Sequence, residues 1–132
     1  MTTKTQTGHT IIASASQAAG ATTRGRLDCS TGVDGGVITA AVINGATGPT
    51  VQCVIRLMVA HRGPSMPAAG PEGNGELDWK IVAEVGCGVV ANARTRVTRS
   101  FGPEVAYWQI ETTGNTGQPV TVEALGTTFD YA

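Results

Sequence analysis

Apolar and polar residues alternate along most of this chain, and the longest alternating stretch is Thr50–Arg62, TVQCVIRLMVAHR. Val51, Cys53, Ile55, Leu57 and Val59 occupy one phase. A period of two places such residues on one side of a β-strand, because successive side chains project from opposite sides of the pleat. Val54 and Met58 make the second face partly apolar, which predicts a cover over that face. As a single strand of thirteen residues the stretch would run roughly 40 Å, the height of a small sandwich.

The same pattern predicts seven shorter strands. The first spans 8–16, with Ile11, Ala13 and Ala15 in phase, and the second spans 22–30, with Arg24, Arg26 and Asp28 opposite Leu27 and Cys29. The third, 37–44, is nearly all apolar, as a strand buried on both faces would be. Asn44-Gly45 with Gly48-Pro49 then reads as a hairpin into the long strand. Alternation resumes at 78–85, where Trp79, Ile81, Ala83 and Val85 share the inward phase. A sixth strand covers 89–101, with a bulge expected near its end because Arg99 and Phe101 leave the phase of Arg94 and Arg96. The seventh, 105–112, sets Ala106, Trp108 and Ile110 against Tyr107, Gln109 and Glu111. Gly114–Gly117 reads as a hairpin turn into the eighth, which begins at 120–124 and is followed by Phe129 and Tyr131 in one phase. Residues 1–7 read as a polar N-terminal arm, and 8–132 as one domain. No segment has helical periodicity. The expected fold is all-β, a single antiparallel β-sandwich of about eight strands with jelly-roll or Greek-key connections.

The irregular segment at 63–76, GPSMPAAGPEGNGE, holds three prolines and four glycines, which exclude helix and strand. A loop of this length in a compact domain is commonly a contact element, so Pro64, Met66, Pro67 and Pro71 are candidate contact residues.

Composition narrows the function more than any motif does. Charged residues make up 14% of the chain, well below an ordinary soluble domain, while glycine reaches 18 residues. A net charge of −1 offers no electrostatic grip on nucleic acid or on an anionic membrane, so neither is an expected partner. No apolar run near the N-terminus resembles a secretory signal. Cys29, Cys53 and Cys87 lack CxxC spacing and read as small buried thiols in a chain made in a reducing cytosol. One disulfide between two of them is the alternative.

Candidate chemistry is thin. Neither Lys4 nor Lys80 follows a phosphate-cradling glycine loop. His9 and His61 are too few and too far apart for a metal site, and Ser65 with His61 and Asp78 lacks a nucleophile elbow. Glu72, Glu76 and Asp78 read as a solvated loop. Glu111 and Glu123 would face each other on neighbouring strands, neutralised by Arg94, Arg96 or Arg99. Trp79 and Trp108 fall on the apolar phase and read as core, leaving Tyr107 alone as a sugar platform. No catalytic, cofactor or metal residue is predicted, and no enzyme. The pointed feature is arginine, which supplies all but two of the nine Lys and Arg residues. Arginine is favoured where bidentate pairing across an interface matters. Arg24, Arg26, Arg94, Arg96 and Arg99 are therefore candidate subunit contacts, with a solvated sheet face as the bland alternative.

From 78 to 125 the order DWKIVAEV, a basic strand, then AYWQIETTGNTGQPVTVEA resembles small β-sandwich virion proteins of tailed bacteriophages, especially capsid decoration (cement) proteins. The chain departs from that pattern at Gln109, where an Arg is common, and in its loop at 63–76. The resemblance implies a non-enzymatic protein that forms homo-dimers or homo-trimers, binds the major capsid protein, and resides in the virion after assembly in the host cytoplasm. A neck, tail-tube or tail-fibre component is the second expectation, and a carbohydrate-binding or adhesin module the third.

Overall fold

The computed structural model describes residues 3–131, and these form eight strands and no helix. In order they are β1 (Lys4–Gln17), β2 (Thr22–Asp28), β3 (Gly35–Asn44), β4 (Val54–Ala60), β5 (Lys80–Gly86), β6 (Arg94–Phe101), β7 (Tyr107–Thr113) and β8 (Val120–Tyr131). Two four-stranded antiparallel sheets result, one ordered β1-β8-β3-β6 and the other β2-β7-β4-β5. Only β4 and β5 are joined within a sheet; every other connection crosses to the opposite one. This is the double Greek key of a jelly-roll sandwich.

The sheets meet along their inward phases. Ile38, Ala40 and Val42 of β3 and Val120, Val122 and Ala124 of β8 pack against Ile55 and Leu57 of β4 and Trp108 and Ile110 of β7. All ten are at least 94% removed from solvent. Phe101 meets Trp108 edge-on at 5.5 Å between ring centroids, closing one end of the core.

Several local expectations give way to tertiary ones. The stretch 50–62 is not one strand: β4 keeps only Val54–Ala60, and Val51 makes a single bridge to Thr116 and stays half exposed. Gly114–Gly117 is not a hairpin but a crossover, with Asn115 buried and its amide donating to the Gln118 carbonyl at 3.0 Å. Asn44-Gly45 likewise leads out of one sheet into the other. Residues 4–7, read as arm, pair with Tyr131–Thr128 at the start of β1. Ile12, not Ile11, is the buried apolar residue of β1, because register shifts at Thr10/Ile12 and Ile12/Ala15 reset its phase. β3 is covered on one face only, since Val37 and Thr39 point outward, Val37 exposed and Thr39 half-buried. β6 starts at Arg94, leaving Val89 and Val90 in an exposed loop, and its register with β3 runs unbroken to Phe101. The expected bulge falls instead between β4 and β5, where Leu57 faces Ala83, Met58 faces Ile81, and Val82 is the extra residue. That bulge sends Ala83 and Val85 into the main core but turns Ile81 and Trp79 to the outer side of the sheet.

Candidate functional site

The two outward faces of the sandwich are built differently. On the β2-β7-β4-β5 sheet, Met58, Ala60, Trp79 and Tyr107 form a second buried cluster, with Met66, Ile81 and Ala106 packed on it. The cover anticipated for Met58 is the loop 61–79, folded back over its own sheet. It is tied down by specific bonds. Trp79 Nε1 donates to the Ala68 carbonyl at 2.9 Å, and Arg26 Nη1 donates to the Pro67 carbonyl at 2.9 Å. The Gln109 amide grips Gly70 twice, donating to its carbonyl at 2.7 Å and accepting from its N–H at 3.1 Å. Glutamine supplies both donor and acceptor, which an arginine at this position could not.

Beside the loop, a row of alternating charges crosses all four strands. Arg24 Nε lies 2.7 Å from Glu111, Arg56 Nη1 lies 3.1 Å from the same carboxylate, and Arg56 Nε reaches Glu84 at 3.2 Å. The register places these residues directly opposite one another, as cross-strand pairing requires. Glu111 is 98% buried, whereas both arginines keep about a third of their surface in water. Its hydrogen bond to Glu111 is the main force holding the Arg56 guanidinium above its already high pKa.

The β1-β8-β3-β6 sheet carries no such cover. A shallow trough of about 280 Å³ lies over β8, β3 and β6, floored by Thr39 and Ala41 and walled by Leu125, Glu123, Arg94 and Arg96. It continues along the sheet past Val37 and Thr98. Leu125 and Val37 are exposed, and Arg94 and Arg96 stand free: all three ion pairs among the described residues lie on the other sheet.

The arginine set is thus divided by the fold. Arg24 and Arg26 hold the covered face, Arg94 and Arg96 line the open one, and Arg99 lies on the edge strand β6, exposed and donating to the Thr98 carbonyl. Glu111 and Glu123 are not neighbours, because β7 and β8 belong to different sheets, and Arg24 and Arg56 neutralise Glu111 in place of Arg94, Arg96 or Arg99. In the loop, Pro64 and Pro71 are exposed, while Met66 and Pro67 are half-buried against the molecule's own sheet. The role of Arg56 was invisible in a stretch that scanned as one continuous strand. Asp78 accepts from the Gly75 N–H at 2.7 Å as part of the loop's own turn.

No family model and no curated protein matches the chain. Among solved structures it is similar to a family 16 carbohydrate-binding module, with 6% identity and a TM-score of 0.47, over 84% of this chain and 71% of that one. It is similar to the K3 adhesin domain of Lys-gingipain from Porphyromonas gingivalis, with 11% identity and a TM-score of 0.47, over 79% of this chain and 61% of that one. A structure of infectious bursal disease virus, Gx strain, gives 7% identity and a TM-score of 0.47, over 97% of this chain and 33% of that one. The fold rests on the chain's own strand order, two four-stranded antiparallel sheets packed face to face. The chain is a β-sandwich.

Proposed function

We propose that this protein is a structural virion protein of the capsid-decoration kind, which binds the major capsid protein and itself through the open face of its β1-β8-β3-β6 sheet. The observation that carries the reading is the inequality of the two faces. One is closed by the protein's own loop and charge ladder, while the other presents two unpaired arginines beside exposed Leu125 and Val37. Unpaired arginine next to aliphatic surface suits contact with another protein, where guanidinium groups pair with carboxylates and backbone carbonyls. Sugar stacking is less well served. Trp79, Trp108 and Tyr107 are buried, Phe101 and Phe129 are half-buried, and Tyr131 is the one aromatic more than half exposed.

The test is sedimentation with expanded capsids. The wild-type protein is expected to pellet with them, and Arg94→Glu combined with Arg96→Glu to remain in the supernatant while circular dichroism still reports a folded β-protein. A folded double variant that pellets as well as wild type would overturn the assignment of this face.

A further inference from the structure

The β4–β5 ladder ends at Val54 opposite Gly86. One step beyond, Cys53 and Cys87 stand opposite each other, and the Cys87 N–H donates to the Cys53 carbonyl at 2.9 Å. Hydrogen-bonded cross-strand neighbours have Cα atoms about 5.5 Å apart, inside the roughly 4.4–6.8 Å that a disulfide spans. Both side chains enter the core, at 0% and 5% exposure, and the Cys87 thiol donates to the Val85 carbonyl at 3.9 Å. Cys53 Sγ accepts from Gln17 Nε2 at 3.8 Å. Thr112 Oγ1 and Asn115 Oδ1, each 2.7 Å away, fix that glutamine in place.

We infer that Cys53 and Cys87 are a redox-active dithiol that peroxide closes into a cross-strand disulfide, with Cys53 as the attacking sulfur.

The contacts of the two sulfurs set the direction of attack: Cys53 Sγ accepts a hydrogen bond from Gln17, whereas Cys87 Sγ donates to a backbone carbonyl. In keeping with this, hydrogen bonding led by Cys87 draws the Cys53 thiol below its ordinary pKa against the opposing effect of burial, while the same contact, with burial, pushes Cys87 up. Cys53 sulfur attacks one peroxide oxygen, the O–O bond breaks, and Cys53 becomes a sulfenic acid as the other oxygen departs as water carrying the thiol proton. Cys87 sulfur then attacks Cys53 sulfur, the S–O bond breaks, and the hydroxyl leaves as a second water with the Cys87 proton. Two thiols are oxidised by two electrons and one peroxide is reduced to two waters. Entry is by way of the edge: Cys87 directly follows the last residue of β5, the outermost strand of its sheet, and lies between Gly86 and Gly88 beneath the Gln52 side chain, whose Oε1 accepts from the Gly88 N–H at 2.9 Å and which must move aside to admit peroxide. Cys29 supplies an internal contrast. It is buried with no partner sulfur, and burial, then the charge of Asp28, pushes its pKa up to about 11.

Titration of the folded protein with hydrogen peroxide, followed by alkylation, non-reducing digestion and mass spectrometry, tests the pair. A Cys53–Cys87 linked peptide is expected, with Cys29 still alkylated, and a melting temperature that rises on oxidation and falls back with dithiothreitol. Cys87→Ser should leave Cys53 as a sulfenic acid trapped by dimedone, and Cys53→Ser should leave Cys87 reduced. Recovery of Cys53 and Cys87 as separate thiols at peroxide doses that fully oxidise glutathione would overturn the inference, as would oxidation of Cys29 first. The wild-type peptide map decides the matter even if a serine variant misfolds. None of these outcomes bears on capsid binding, which rests on the opposite sheet.

Discussion

Removing the Glu111 carboxylate should separate the arginines that hold the fold from those free to bind. Glu111→Ala breaks both the 2.7 Å bond to Arg24 and the 3.1 Å bond to Arg56. Stripping one partner from a fully buried ion pair costs about 3–5 kcal/mol, while a fully exposed pair contributes about 0–1 kcal/mol. This ladder lies between those limits. The carboxylate is 98% buried, but both guanidinium groups are about one-third exposed, so water can replace part of what they lose. A loss of roughly 2–3 kcal/mol follows, on top of which two charge-assisted bonds cannot add their full separate values. For a domain of this size that is a fall of roughly 6–12 °C in Tm. Urea denaturation monitored by tryptophan fluorescence, with a thermal melt alongside, measures it. Arg94→Ala is the control and should stay within about 0.5 kcal/mol of wild type, since Arg94 is exposed and unpaired. The reasoning fails if Glu111→Ala costs less than about 1 kcal/mol, which would class the ladder with ordinary surface pairs.

Two further outcomes follow from single contacts. In Gly25→Ala the new Cβ would collide with the Ile11 carbonyl oxygen, so β1 must move off β2, and a loss of about 2–4 kcal/mol at unchanged m-value is expected; an alanine variant as stable as wild type would show that β1 does not close over β2 there. Burial, with Asp28 assisting, raises Cys29 from 9.0 to about 11, so between those pH values the unfolded chain releases a thiol proton that the folded chain retains. Stability contributed by this group is complete below pH 9 and is lost as pH rises towards 11, on the order of 2–3 kcal/mol in all. The stability gap between wild type and Cys29→Ala should therefore shrink between pH 8 and pH 10.5 in urea titrations, and a constant gap would refute it.

The period-two signal placed all eight strands and kept Trp79 and Trp108 from solvent, because alternation is a local property that burial on one face imposes. Pairing is not local, and alternation says nothing of which strands become neighbours. The backbone demands at Gly114 and Gly117, with φ of 96° and 81°, are the same whether the chain doubles back in its own sheet or crosses to the other. What decides the crossing is the Asn115 side chain, buried and bonded to the chain around it, a contact invisible in GNTG. The bulge at Val82 was equally silent, since IVA is apolar in either phase and only the partners Leu57 and Met58 choose. With β7 and β8 wrongly set side by side, Glu111 was matched to arginines on the far face of the molecule. Gly25 carried a signal that could have been used: a glycine on the inward phase of a strand marks a close backbone approach, here by Ile11.

That division of labour bears on how the protein can bind at all. The loop at 63–76 has the length and proline content of a contact element, yet Met66, Pro67, Ala68 and Gly70 are engaged by the molecule's own sheet. Of the four candidate contact residues in the loop, Pro64 and Pro71 are the exposed ones left to touch a neighbour. An exposed guanidinium that is already paired must give up that pair before meeting a new partner, whereas an unpaired one gives up only water. Arg94 and Arg96 belong to the second kind and Arg24 to the first, so a partner that selects this protein through charge has reason to approach over β3, β6 and β8 and little reason to approach over β2 and β7. On the proposed reading, the covered face sets the rigidity of the sandwich, and the open face its choice of neighbour.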